Sequence, residues 1–204
     1  DIIVKGKGGH AASPHLAIDP VVISAQVISA VQTIISRSTD PVDKALISIT
    51  KINAGTAYNV IDDQVTMGGT IRTFKKDTRS YIEKRLNEIC SGIAEAHGAE
   101  IKIQFDLVNK YPPTINSKKE SIFASNVAKD LVGEDKVITD IDPSMGGEDF
   151  SYLLEEKPGS YLYLGQGDSE HKAHLHTTKY DFNDNLLPVG VNFWIELVKK
   201  YFSK

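Results

Sequence analysis

The sequence holds one cysteine, Cys90, among 204 residues. That excludes a disulfide framework and makes a reducing compartment, the cytoplasm, the expected setting. Positive charge is not in excess, since 23 Lys and Arg against 27 Asp and Glu leave a net charge of −4. The chain therefore has no electrostatic footprint for nucleic acid. No stretch reads as the ~18 apolar residues of a membrane span, which predicts no membrane partner. There is no internal repeat and no low-complexity tract. An opening methionine is missing too: the chain starts at Asp1 within the strand-like run DIIVKG. That start raises the expectation of a piece cut from a longer protein.

What is present suits a folded α+β chain, because 41% hydrophobic residues beside 25% charged ones suffice for a buried core. DIIVKG reads as a strand. Asp19-Pro20 supplies an N-cap followed by proline at the first helical position. Val27, Ile28, Val31, Ile34 and Ile35 then form an amphipathic stripe. Residues 45–52 (ALISITKI) return to β-branched strand character, and residues 64–74 (QVTMGGTIRTF) alternate as a half-buried strand. Asp77 is positioned to cap a second helix with the stripe Ile82, Leu86, Ile89 and Ile93, and Gly98 ends it. A last strand runs through Ile101, Ile103, Phe105 and Leu107. The order β-α-β-β-α-β within about 110 residues is the split βαβ, or ferredoxin-like, arrangement. If Val65, Met67 and Ile71 face its helices, Arg72 points from the open side of the sheet.

Tyr111–Glu120 (YPPTINSKKE), with paired prolines and a polar run, marks a boundary. Beyond it the sequence predicts a helix near 121–131 and a short strand near 136–139. A loop containing GGEDF, a strand SYLYLGQG, a histidine-rich loop and a closing helix over 187–202 follow. Two short strands and three helices make a poor independent core and suit the remainder of a larger α/β sheet. Trp194 and the alternating Tyr161 and Tyr163 read as packing residues.

Several groups could carry chemistry. In VKGKGGHAASP the glycines could form a phosphate cradle, a plain tight turn, or a close backbone approach that presents His10 to polarise a carbonyl oxygen. The order of lysine and glycine is wrong for a P-loop. His171, His174 and His176 in HKAHLHTTKYDF have imidazoles suited to a divalent metal, although a solvated loop explains them equally. In an extended segment His174 and His176 would share a face. A catalytic metal needs about three protein ligands, and Glu148-Asp149 is the one other cluster nearby. Glu155-Glu156 reads as a solvated helix end. Cys90 reads as a buried structural thiol.

Taken together, GKGGHAASPHLAIDP, AGTAYNVI, GGTIRTF, GGEDFSYLL and LHTTKYDFND resemble the metal-dependent aminoacylase and carboxypeptidase family. Their order and spacing are most similar to its hippurate hydrolase and N-acyl-amino-acid amidohydrolase branch. The resemblance implies a ferredoxin-like lid and dimerisation domain over 1–110. Over 113–204 it implies the C-terminal part of an α/β metallohydrolase catalytic domain, with the N-terminal part absent. It implies an amide hydrolase acting on N-acyl amino acids or small peptides, with two divalent ions, zinc or manganese, and a homodimer through the lid. His10 resembles the lid histidine that stabilises the oxyanion in the partner's active site. Asn59 and Arg72 resemble the residues that hold the substrate carboxylate; Gly146, Gly147 and Glu148 resemble a loop beside the substrate; His176 resembles the last metal ligand.

The departures are specific. The family's general-base glutamate and its other metal ligands have no counterpart here, so the 204 residues alone are expected to be inactive and to bind no metal tightly. Asp62 stands where the family usually has proline after NVI, and a looser turn around Asn59 is expected. A non-catalytic dimerisation or small-molecule-binding module is the alternative, because this fold hosts many functions.

Overall fold

A computed structural model describes residues 1–106, 110–167 and 170–203. They fall into two compact units, Asp1–Pro113 with Met145–Glu148, and Thr114–Ser144 with Asp149–Lys204.

The first unit is organised by the short strand β1 (Ile2–Lys5), whose apolar positions alternate with more exposed ones. It pairs antiparallel on one side with β5 (Gln64–Thr73) and on the other with β6 (Glu100–Ile103). β5 also pairs antiparallel with the edge strand β3 (Ala45–Asn53), giving the sheet order β3-β5-β1-β6. Register puts Ile2 opposite Met67 and Ile103, and Val4 opposite Val65 and Ile101. Residues in register share a face, so these rows form one apolar surface. On it lie α1 (Pro20–Thr33) and α2 (Lys76–His97). Ile23, Val27, Val31 and Ile34 from the first helical run, and Ile82, Leu86 and Cys90 from α2, complete the buried cluster. A bulge between Ile49 and Lys51 interrupts the β3–β5 register. Gly69 lies beside it, where an added Cβ would fall 2.1 Å from the Ser48 carbonyl oxygen. A separate two-residue ribbon joins β2 (Gly9–His10) to β4 (Val60–Ile61).

Helix ends follow the sequence in part. The Asp19 carboxylate accepts the Val21 amide at 2.8 Å, as a capping residue should. Gly98 closes α2 in the left-handed region at φ 64°. Asp77 is not the cap of α2: Lys75 holds that position and Asp77 lies in the first turn, where its charge complements the helix dipole. Leu107, assigned to the last strand by alternation, lies outside the described residues. The reading that no apolar run is long enough for a membrane also needs correction. The helical run Pro20–Ser38 has 19 residues at a mean hydropathy of 1.3. Its stripe is buried against the sheet, which accounts for that composition.

The second unit contains α3 (Lys118–Val132), α4 (Phe150–Glu156) and α5 (Leu187–Phe202). Neither expected strand forms: a 3-10 turn at Glu134–Lys136 leads into irregular backbone, and residues 160–167 carry no ladder. A strand requires a neighbour to hydrogen-bond with, and alternation in sequence does not supply one. Around Tyr161 the side chain of Asn116 substitutes for one, accepting the Tyr161 amide at 2.7 Å and donating to its carbonyl at 2.9 Å. Trp194 and Tyr163 are not core residues, being 60% and 69% exposed. Among described residues α5 buries none of its side chains, although Val191, Ile195 and Val198 are also apolar.

Candidate functional site

The glycine loop is shaped by close backbone contacts. A Cβ on Gly6 would lie 2.0 Å from the Ile18 carbonyl oxygen, and one on Gly8 would lie 2.8 Å from that of Ile61. Only glycine fits either position. The amides that a phosphate cradle would need are already engaged. Gly6 N–H donates to the Asp63 carbonyl at 2.8 Å, Lys7 N–H to the Ile18 carbonyl at 2.9 Å, and Gly8 N–H to Asp63 Oδ1 at 2.8 Å. Of the three readings of this loop, close approach is the one observed.

The loop delivers His10 to the exposed ribbon, opposite Val60. His10 Nδ1 accepts the Ala12 amide at 3.0 Å. A nitrogen that accepts carries no proton, so a neutral His10 ring would carry its proton on Nε2, where it is a donor. Asn59 lies beside it, since Ala11 N–H donates to the Asn59 carbonyl at 3.0 Å. Asn59 rides on an exposed turn that begins at Gly55, with φ 84°. Thr56 Oγ1 donates across this turn to Asp62 Oδ1 at 2.8 Å. Asp62 therefore ties the turn, contrary to the looser turn expected from the missing proline.

Arg72 stands near the other end of β5. Ile71 packs on the core, so its strand neighbour Arg72 is turned to the open face. The guanidinium is half-buried and donates to the Ile71 carbonyl at 3.0 Å. Met145–Glu148 belongs to this unit, and Gly147 rests against Arg72. A Cβ there would lie 2.9 Å from Tyr111 Cδ2 and 3.5 Å from Arg72 Nη2. Gly146 and Glu148 flank that contact. The structure thus forms two half-sites, His10 with Asn59 and Arg72 with Gly147. Eight residue steps of β5 lead from Gln64 to Arg72, about 25 Å of extended chain.

His176, in the second unit, is exposed at φ 62°, the one non-glycine residue with positive φ among those described. The histidine segment is a turn, not the extended run assumed for His174 and His176, with Thr177 Oγ1 donating to the His174 carbonyl at 2.9 Å. A strained backbone at a histidine marks a position worth functional attention. Among the described residues no three of His, Cys, Asp and Glu come together to hold a metal ion. The described residues therefore do not by themselves make up a metal centre. Cys90 is buried, and desolvation pushes its thiol up to about 11. Sequence reasoning overlooked Thr56, Asp63 and Tyr111. For Asp63 a signal existed, because a carboxylate next to a turn readily accepts backbone amides.

The family model of peptidase family M20/M25/M40 matches residues 6–200. The chain belongs to that family, and its relatives lie in the aminoacylase and hippurate hydrolase branch. A hippurate hydrolase from Campylobacter jejuni is 38% identical over 202 residues, which is 99% of this chain and 51% of the relative. Among solved structures, a protein described as an aminohydrolase from methicillin resistant Staphylococcus aureus superimposes with a TM-score of 0.80 at 25% identity. It is matched over 98% of this chain and 51% of its own. A Bacillus subtilis dinuclear metal binding peptidase of the M20 family gives 0.65 at 28% identity, over 96% of this chain and 47% of its own. The chain spans about half the length of the relatives it matches.

Proposed function

We propose that these residues are the ferredoxin-like lid and the C-terminal catalytic portion of an enzyme that hydrolyses the amide bond of N-acyl amino acids or small peptides. The observation that carries this reading is His10, exposed on the β2–β4 ribbon beside Asn59, with Nδ1 engaged by the Ala12 amide so that Nε2 is left for an N–H donor. A fixed N–H donor stabilises negative charge as it develops on a carbonyl oxygen during amide hydrolysis. Arg72 offers a planar fork for a substrate carboxylate, and the Gly147 backbone lies close enough to limit how that fork turns. Names of relatives such as hippurate hydrolase and N-acetylcysteine deacetylase support an acyl-amino-acid substrate.

Two divalent ions, zinc or manganese, belong to the reading, but His176 is the one ligand these residues offer. The remaining ligands and the general base would come from chain outside the 204 residues, which alone would then be inactive. The two half-sites lie at opposite ends of one strand, which supports a homodimer in which each active site draws on two copies. A cytoplasmic location is proposed from the single, buried, unpaired thiol.

The test is steady-state hydrolysis of hippurate and other N-acyl amino acids by the full-length protein. Replacing His10 by alanine should lower kcat by about 10²–10³ with little change in KM. A change confined to KM would remove the oxyanion role.

A further inference from the structure

We infer that the adjacent carboxylates Asp62 and Asp63 are positioning residues, one for each of the segments that carry Asn59 and His10. The inference rests on the reading above only for what the positioned groups do. The β2–β4 ribbon pairs just two residues on each side, too few to hold a conformation unaided. Its geometry must be imposed from the rigid sheet, and Asp62-Asp63 is the dipeptide immediately before β5 begins at Gln64.

The two side chains act on opposite flanks. Asp63 grips the glycine loop twice, accepting Gly6 N–H at its carbonyl and Gly8 N–H at Oδ1, both at 2.8 Å. The missing Cβ at Gly8 allows the loop to come this close, since an added one would sit 2.9 Å from Asp63 Oδ1 itself. Asp62 closes the other flank by accepting Thr56 Oγ1 at 2.8 Å across the turn bearing Asn59. That turn is further fixed by Val60 N–H donating to the Ala57 carbonyl at 3.3 Å. Neither carboxylate hydrogen-bonds His10 or Asn59; each accepts from the segment on which one of them stands.

The experiment uses amide hydrogen exchange and ring ¹⁵N shifts of the 204-residue chain, with kcat measured on the full-length protein. Asp63→Ala should speed Gly8 exchange about tenfold and mix the two neutral tautomers of His10, while protection of core amides such as Val4 is unchanged. Asp63→Asn, whose Oδ1 still accepts, should restore the original behaviour. Asp62→Ala and Thr56→Val should each speed Val60 exchange about tenfold, and the double variant should add little more. Unchanged exchange at Gly8 and Val60, or a loss shared equally by the core amides, would overturn the positioning role. Altered exchange without any loss of kcat would overturn it also. If wild-type full-length protein hydrolyses no N-acyl amino acid yet exchange responds as expected, positioning stands and the catalytic reading is the part that fails.

Discussion

Cys90 illustrates how one side chain can be read almost completely from its place on a helix. It falls on the apolar side of α2 among Ile82 and Leu86, and burial raises its thiol to about 11. Near neutral pH it is a protonated, inaccessible group, so a thiol reagent at pH 8 should modify it only after unfolding, as a denaturant titration of labelling would reveal. Linkage gives a second expectation. The folded state holds this proton more tightly than the unfolded state does. The contribution to stability is therefore fully present below the ordinary thiol value and is lost as pH rises from about 9 to 11. The loss should amount to about 2–3 kcal/mol, measured by urea unfolding across that range. Other single residues were less legible. The left-handed backbone of His176 and the carboxylate bonds of Asp62 and Asp63 are properties of a folded turn, which a list of residue types does not contain.

Among the elements, α2 does more than cover the sheet. Its Arg79 and Glu83 reach the segment that ends the first unit. Glu83 receives Lys110 Nζ at 2.8 Å and Arg79 Nε at 3.1 Å, while Arg79 Nη1 donates to the Tyr111 carbonyl at 3.2 Å. Burial opposes ionisation of Glu83, but the hydrogen bonds from Lys110 and Arg79 outweigh it and hold its carboxyl below the usual value. A lowered folded value means this stability is present above the unfolded pKa and is lost as pH falls through the folded one. Glu83→Gln should therefore cost about 1–2 kcal/mol at pH 7 and flatten the acid limb of a Tm-against-pH curve; an equally steep limb in the variant would refute this. Helices were the readily legible elements, since the stripes of α1 and α2 and the bounds of α5 follow from apolar spacing. The misread elements were the two strands of the second unit. Alternation in SYLYLGQG reports side-chain chemistry, whereas a strand also needs a neighbouring backbone, and none is supplied among the described residues.

For the whole molecule, the distance along β5 decides what can work together. In the first unit the alternation of elements and the open-face position of Arg72 were legible because both follow from periodicity. The separation of Arg72 from His10 was not, since it depends on how β2 and β4 fold back beside the start of β5. On the homodimer proposed above, an active site that uses both would draw on two copies. His10→Ala and Arg72→Ala full-length proteins, each nearly inactive, should regain about one quarter of wild-type turnover when unfolded and refolded as an equimolar mixture. No recovery, with heterodimers verified by mass, would mean that both residues serve a site within a single copy. The exposed outer side of α5 has a practical consequence. Trp194 is the only tryptophan in the sequence and stands 60% exposed there. The wavelength and quenching of its fluorescence therefore report on the surroundings of that one helix without an attached dye.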